Sequence, residues 1–214
     1  MKIIRTSLKT VSLKKMITAI VGVFLVCIGV AINNNTQLGN DPVGIIYDGI
    51  RQAAQLSHAQ LGVVSNYINI GLIIILFFFG RKYINVGTLI YLVPYGLFIS
   101  IGSYLYTIIF VGNTLWIRGV AGLVGCSLYY LGISLFVASN IGVDPFNGLM
   151  LTLRDKTGWS IRRSKITMDV VLIIAGVLLG GRFGAITILT ALTTGPAIQY
   201  LSQLFSQLLY GERI

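Results

Sequence analysis

"LGNDPVG" (Leu38–Gly44) and "IGVDPFN" (Ile141–Asn147) are the stretches on which the reading of this chain turns. Each places Gly-x-Asp-Pro just after a long apolar run, and the two aspartates lie 103 residues apart in a chain with only six acidic residues. An aspartate accepts hydrogen bonds from the free amides at a helix start, and proline suits the first helical position because it has no N–H to leave unpaired. Gly39 and Gly142 let the chain turn sharply beforehand. Asp41-Pro42 and Asp144-Pro145 therefore predict the starts of two short helices. At ~1.5 Å per residue neither segment can cross a bilayer. Ile46, Ile50 and Ala53 share one helical face, as do Phe146, Leu149, Met150 and Leu153, so both read as amphipathic or re-entrant helices.

The runs around these turns define the class. Of 214 residues, 55% are apolar and 10% charged, with mean hydropathy +0.85. That is too apolar for a soluble domain of this length. Only helices and closed barrels satisfy their backbone in lipid, and the uncharged runs exceed the ten-residue alternation of barrel strands. The expectation is an all-α polytopic bundle with about six spans, near residues 16–34, 61–79, 85–110, 117–138, 164–180 and 184–209. The basic start "MKIIRTSLKTVSLKKM" suggests a signal peptide, but the run from Met16 to Ile32 is long and lacks a small-x-small cleavage site, so a retained first span is expected. Cys27 and Cys126 sit inside apolar runs and read as buried thiols.

Charge sets the expected orientation. With the N-terminus inside, Lys2, Arg5, Lys9, Lys14, Lys15, Arg81, Lys82, Arg154, Lys156, Arg162, Arg163, Lys165 and Arg213 are cytoplasmic, leaving Arg51, Arg118 and Arg182 outside. The positive-inside rule favours this layout, with both termini cytoplasmic. The net charge of +10 is thereby an orientation signal, and no basic patch with interleaved aromatics points to nucleic acid.

Sliding the chain by 103 residues aligns Gly22–Ser57 with Gly125–Ser160 without a gap. Gly22, Leu25, Gly29, Gly39, Asp41, Pro42, Arg51 and Ser57 then meet identical residues. Further on, Gly80-Arg81 answers Gly181-Arg182 and Pro94 answers Pro196. The expected organisation is a basic cytoplasmic segment (1–15), a first membrane repeat (16–110) and a second (111–214). Each repeat has three spans and one short helix. Three is odd, so the second repeat must sit inverted relative to the first, an arrangement that recurs in secondary transporters.

The two Gly-x-Asp-Pro turns, the stretch "GGRFGAITILTALTTGP" (Gly180–Pro196) and the chain length resemble the YczE/YyaS/YitT family of bacterial multi-pass membrane proteins. The resemblance covers nearly the whole chain and is closer in the second half. It implies a bacterial inner-membrane location and a permease-like or regulatory role, without a substrate or an active site.

Several residues carry further expectations. Two short helices entering from opposite faces would aim their positive N-terminal dipoles at a shared interior and hold an anion there. The capping carboxylates of Asp41 and Asp144 would instead suit a proton or a cation. Pro94 and the Gly195-Pro196 pair should kink or break their spans. Thr190, Thr193 and Thr194 would then satisfy the freed carbonyls, or the unwound turn would line a cavity. Asp169 lies within an apolar span, which marks it for a transport or proton-relay role; equally, it can pair with Lys165 one turn earlier. Its first-half counterparts, Asn66 and Asn69, read as interhelical hydrogen-bonding residues. Gly22, Gly29, Gly119, Gly122, Gly125 and Gly132 read as close-packing positions. Tyr47, Tyr67, Tyr91, Tyr95, Trp116 and Trp159 are candidates for anchors at the membrane interface.

Catalysis finds little support. His58 is the only histidine, in a loop, and the chain has no metal-binding pair, no GxSxG and no phosphate-cradling GxxxxGK. No enzyme activity, catalytic residue, metal or cofactor is expected. Three roles remain: a permease for an unidentified small solute, a scaffold or regulator whose protein partner docks on residues 154–165, and a solute-binding subunit of an ATP-driven importer. A water-accessible centre lined by the short helices favours transport, and a packed centre favours the scaffold. Oligomeric state is not legible.

Overall fold

The computed structural model describes residues 12–212, and every regular element in them is helical. Lys2, Arg5, Lys9 and Arg213, used above for orientation, lie outside the described residues. In chain order the helices are α1 (Leu13–Thr36), α2 (Pro42–Ala53), α3 (Leu61–Phe79), α4 (Val86–Ile109), α5 (Leu115–Ser139), α6 (Pro145–Thr157), α7 (Ile161–Leu178) and α8 (Ala185–Tyr210). Four of them, α1, the helix ending at Phe79, α4 and α5, are long and apolar enough to cross a membrane. This is a helical membrane protein. The exterior is apolar, with Phe78, Val93, Leu97, Leu123, Val171, Leu192 and Leu208 all exposed. Asn33, Asn69, Thr88, Ser134 and Thr187 are buried. That distribution suits a solvent of hydrocarbon, where polar groups must pair inside.

Helix α1 is the central post, packed along both α4 and α5. Its contact with α5 rests on glycine. A Cβ on Gly22 would come within 2.8 Å of the Gly132 carbonyl, and one on Gly29 within 2.5 Å of the Gly125 carbonyl. The pairs run in opposite numerical order, so α1 and α5 are antiparallel, with their backbones as close as helices can come. Gly122 packs on Ile186, whereas Gly119 has open space around it.

The bundle therefore has two distinguishable ends. Lys14, Lys15, the turn Arg81–Tyr83 and the α6–α7 junction gather at the end where α1 begins. Lys82 and Asp155 pair across that end, and Lys156 sits 4.3 Å over the ring of Phe79. At the other end Arg118 Nε donates to the Thr36 carbonyl at 2.7 Å, and Arg182 to Gln37 Oε1 at 2.8 Å. The expected segregation of basic residues is thus a spatial fact: Arg51, Arg118 and Arg182 share one end, away from the other nine described lysines and arginines.

Both α4 and α8 run through their prolines without interruption. Pro94, Gly195 and Pro196 therefore do not break their helices. A single missing N–H leaves the rest of a long helix intact when its neighbours hold it. The threonines do not serve the carbonyl that Pro196 frees. Thr190 donates to Ile186 O at 2.9 Å, Thr193 to Leu189 O at 2.7 Å, and Thr194 Oγ1 is buried without a partner. Tyr47, Tyr91 and Tyr95 are core residues and not interfacial anchors, while Tyr67 and Trp116 are exposed.

Candidate functional site

Each Gly-x-Asp-Pro turn folds back into the bundle. After α1 ends at Thr36, Asn40 Nδ2 donates to the carbonyl of Val30 at 3.1 Å, so the chain has re-entered by about two helical turns. Asp41 then caps α2, its Oδ2 accepting from the Val43 amide at 3.2 Å, with Pro42 at the first position. Asp144 caps α6 likewise, accepting from the Asn147 amide at 3.0 Å. The capping reading of both aspartates is what the geometry displays.

The turns are seated by the opposite half of the chain. The Ile186 amide, at the start of α8, donates to the Leu38 carbonyl at 3.0 Å, and the Gly87 amide, at the start of α4, donates to the Ile141 carbonyl at 3.2 Å. A threonine completes each contact. The Asn40 amide donates to Thr187 Oγ1 at 3.3 Å, and Thr88 Oγ1 donates to the Val143 carbonyl at 2.7 Å. Gly39 (φ 102°) and Gly142 (φ 155°) are glycines for two reasons: their φ angles, and the absence of room for a Cβ against Thr187 and Asn85 respectively. Thr88 and Thr187 escaped sequence reasoning. Their signal was present, each standing three residues after the cap position of the helix that receives a turn.

From these caps the short helices diverge. Helix α2 packs along α7, with Gly49 against Gly176, and α6 packs along α3, with Gly148 against Leu76. Their N-terminal halves meet in the core, where the Tyr47 and Phe146 rings lie edge to face at 5.8 Å. Tyr47 also packs on Tyr95, and Tyr95 stacks on Tyr91 at 5.0 Å. The centre between the short helices is therefore filled with aromatic rings. Tyr47 donates its hydroxyl to Asn69 Oδ1 at 3.0 Å, tying α2 to α3.

The far ends of the short helices carry two ionic latches. Beyond the middle of α2, Asp48 accepts from Arg51 at 2.7 Å, from Gln52 at 3.0 Å and from the Arg182 amide at 3.0 Å. Asp48 and Arg51 are both buried, and the adjoining recess has no room for a water molecule. Near the end of α6, Asp155 pairs with Lys82 at 2.5 Å and Arg154 at 2.6 Å and accepts from the Tyr83 hydroxyl. The Lys82 ammonium, then the Tyr83 hydroxyl and the Arg154 guanidinium, hold the Asp155 carboxyl well below the usual carboxylate range. This second latch lies at the surface, with the Lys82 side chain 58% exposed.

The halves differ in one interface. Gly62 of α3 packs on Gly96 of α4, and Asn66 Oδ1 accepts the Gly96 amide at 2.9 Å. The residues 103 positions later are Lys165 and Asp169. They bond to each other at 2.6 Å, and their side chains are 45% and 27% exposed. Helices α7 and α8 barely touch, and nothing lies within 4 Å of a Cβ placed on Gly195. Asn66 and Asn69 are each hydrogen-bonded to a neighbouring helix, and Asp169 bonds to Lys165. An apolar groove of about 550 Å³ between α5 and α8, lined by Leu115, Trp116, Leu123, Ile186 and Leu189 among others, contains no titratable group. Among the described residues no three His, Cys, Asp or Glu side chains gather to hold a metal.

The model of a family of unknown function, DUF6198, matches residues 13–203. The chain belongs to that family. It is 25% identical over 180 residues to the uncharacterized membrane protein YczE of Bacillus subtilis (strain 168), covering 84% of this chain and 81% of the relative. It is also 27% identical over 125 residues to an uncharacterized protein of Haemophilus influenzae, covering 58% of this chain and 56% of that protein. No solved structure matches. The resemblance drawn from the turns and from Gly180–Pro196 is therefore correct at the level of a YczE-like membrane protein.

Proposed function

We propose that this is a bacterial inner-membrane permease made of two inverted repeats, which moves a small solute by rocking one repeat against the other. The observation that carries the reading is the reciprocal seating of the turns, Leu38 on Ile186 and Ile141 on Gly87. A second supports it. Gly22 and Gly29 align with Gly125 and Gly132 in sequence, yet Gly22 touches Gly132 and Gly29 touches Gly125. A helix that meets its own counterpart antiparallel is related to it by a two-fold axis perpendicular to both. For helices crossing a bilayer that axis lies in the membrane plane, as in inverted-repeat transporters. On this reading α7 and α8 complete six spans, and α2 and α6 are re-entrant half-helices. Both termini face the cytoplasm, following the grouping of basic residues at one end.

The two repeats then sit in different conformations, α3–α4 closed and α7–α8 open, and the buried Asp48–Arg51 latch seals the outer end. Interconversion of such paired arrangements is alternating access. The rival reading, a scaffold whose partner docks on residues 154–165, draws support from the aromatic filling of the centre. It draws more from the exposed Lys156, Arg162 and Arg163, the last stacked 4.3 Å over Trp159.

Distance measurement separates the two. Spin labels at the exposed positions Ile166 and Leu204, on α7 and α8, should give two distance populations in lipid nanodiscs if these helices close and part. A single narrow population unaffected by a metabolite extract would sink the permease and leave the scaffold. Cysteines at the exposed Gln55 and Arg162 should be labelled from opposite sides of the membrane; labelling from one side would overturn the layout.

A further inference from the structure

The apolar groove between α5 and α8 lies where both helices begin. Its volume of about 550 Å³ is that of a small-ligand site. Buried Ile186 and half-buried Leu38 line it together with the exposed Leu115, Trp116 and Leu123. The two residues that precede Leu38 each hold an arginine. Arg118 Nε donates to the Thr36 carbonyl at 2.7 Å, and Arg182 donates to Gln37 Oε1 at 2.8 Å. Thr36 also adjoins the groove directly, its Cγ2 lying 4.0 Å from a Cβ placed on Gly122, a lining residue. Two guanidinium groups are thus fixed beside one end of an apolar trough. Neither has a carboxylate partner. Among the described residues Arg118 and Arg182 make no salt bridge, and each keeps N–H donors beyond its single side-chain hydrogen bond. Of the six acidic residues, Asp41 and Asp144 cap helices inside the bundle, Asp155 and Glu212 pair at the opposite end, and Asp169 pairs with Lys165. Only Asp48 remains, bonded to the Arg51 side chain and to Arg182 through its backbone amide alone. Three arginines against one aspartate leave two positive charges uncompensated there. The positive ends of the α5 and α8 dipoles add to them.

We propose that the groove seats an acyl chain of an anionic phospholipid, whose phosphate is held by Arg118 and Arg182. The two ends of the site select an amphiphile. The walls contain no titratable group and suit hydrocarbon, while arginine forks pair with phosphate oxygens through parallel N–H bonds. A soluble anion would leave the groove unfilled. Phosphatidylcholine would fill it, but its quaternary ammonium brings a further cation to an end that already has two in excess. Trp116, 80% exposed in the first turn of α5, stands at the level where chain meets headgroup, a depth that tryptophan favours. A second copy of the chain is a poorer occupant. It would have to offer a carboxylate to the arginines, and the one acid at this end, Asp48, is buried and already bonded to Arg51.

The lipid site is independent of whether the chain transports, and a tryptophan reads it directly. Trp116 lines the groove, and the chain's other tryptophan, Trp159, lies between α6 and α7. Trp159→Phe therefore leaves a single reporter. The full chain with this change is reconstituted in phosphatidylcholine bilayers, and quenching of Trp116 by brominated phosphatidylglycerol is compared with quenching by brominated phosphatidylcholine. Phosphatidylglycerol should be favoured roughly fivefold or more. Arg118→Gln combined with Arg182→Gln should remove the preference. Arg182→Gln alone, which leaves the Thr36 carbonyl its donor, should lower it and decides the matter if the double variant does not fold. Gly119→Leu fills the groove from a position where a Cβ meets nothing within 4 Å, and with every charge in place it should lower the preference too. Equal quenching by the two lipids, or a preference unmoved by Arg182→Gln or by Gly119→Leu, would overturn the site. Quenching by neither lipid would mean that a second copy covers this face, and would overturn it as well.

Discussion

The carbonyl of Leu38 and the amide of Ile186 meet at 3.0 Å across 148 residues of sequence, and the Ile141 carbonyl and Gly87 amide repeat the contact in the other direction. A turn that has left its own helix thus finds its backbone partner at the first turn of a helix from the other half, where amides are free. The twin turns are clasps between halves as well as helix starts.

Removing a clasp hydroxyl should therefore loosen the bundle. Thr187→Val keeps the volume but leaves the buried Asn40 amide without its acceptor, a loss of about 1–3 kcal/mol. Thr88→Val, which deprives Val143 O of a donor, should cost a similar amount. Equilibrium unfolding in mixed micelles measures both, and wild-type stability in both variants would contradict the clasp.

Glycine at the α1–α5 crossing is a matter of distance. In Gly29→Ala the new methyl comes within 2.5 Å of backbone at Gly125, which cannot move aside as a flexible side chain does. The expected loss is about 1–3 kcal/mol. Gly119→Ala on the same α5 helix meets open space and should be neutral or stabilising by up to ~1 kcal/mol, the ordinary helix preference for alanine. Equal losses at both sites would argue against tight backbone contact.

The two latches should respond unequally to the loss of their arginines. Arg51→Ala strands the buried Asp48, and breaking a buried pair typically costs about 3–5 kcal/mol. Arg154→Ala, 103 residues later, removes one arm of a surface network and should cost under about 1 kcal/mol. Comparable losses would mean that the Asp48 latch is solvated.

Acid should find the second latch. Lys82 first, with Tyr83 and Arg154, depresses the folded-state affinity of Asp155 for a proton. Its contribution is present above the ordinary carboxylate range, near pH 4, and is lost as pH falls below that towards the depressed folded value. The stability difference between wild type and Asp155→Asn should be flat from neutrality to about pH 5 and shrink on further acidification. A difference that grows as pH falls would reverse the assigned sign.

Much was legible in the residues alone. The apolar runs gave the helices to within a few positions, because span length is fixed by bilayer thickness and helix rise. Asp-Pro gave the starts of α2 and α6, because capping is a local matter of free amides and a missing N–H. The basic residues gave the two ends of the bundle. By contrast, Pro94 and Pro196 misled, since whether a proline interrupts a span depends on the neighbours that hold it.

Only the tertiary structure decided which elements meet. Sequence spacing paired Gly39 with Gly142 as copies, but not with Thr187 and Asn85, which exclude any side chain there. It placed Asp169 opposite Asn66 in register, without saying that α3–α4 would close around one and α7–α8 stand apart beside the other. These contacts join residues 30 positions apart for Asn66 and Gly96, 57 for Asn85 and Gly142, and 148 for Gly39 and Thr187. They are set by how helix faces pack and which backbone groups remain unpaired at helix ends, quantities that no local pattern encodes.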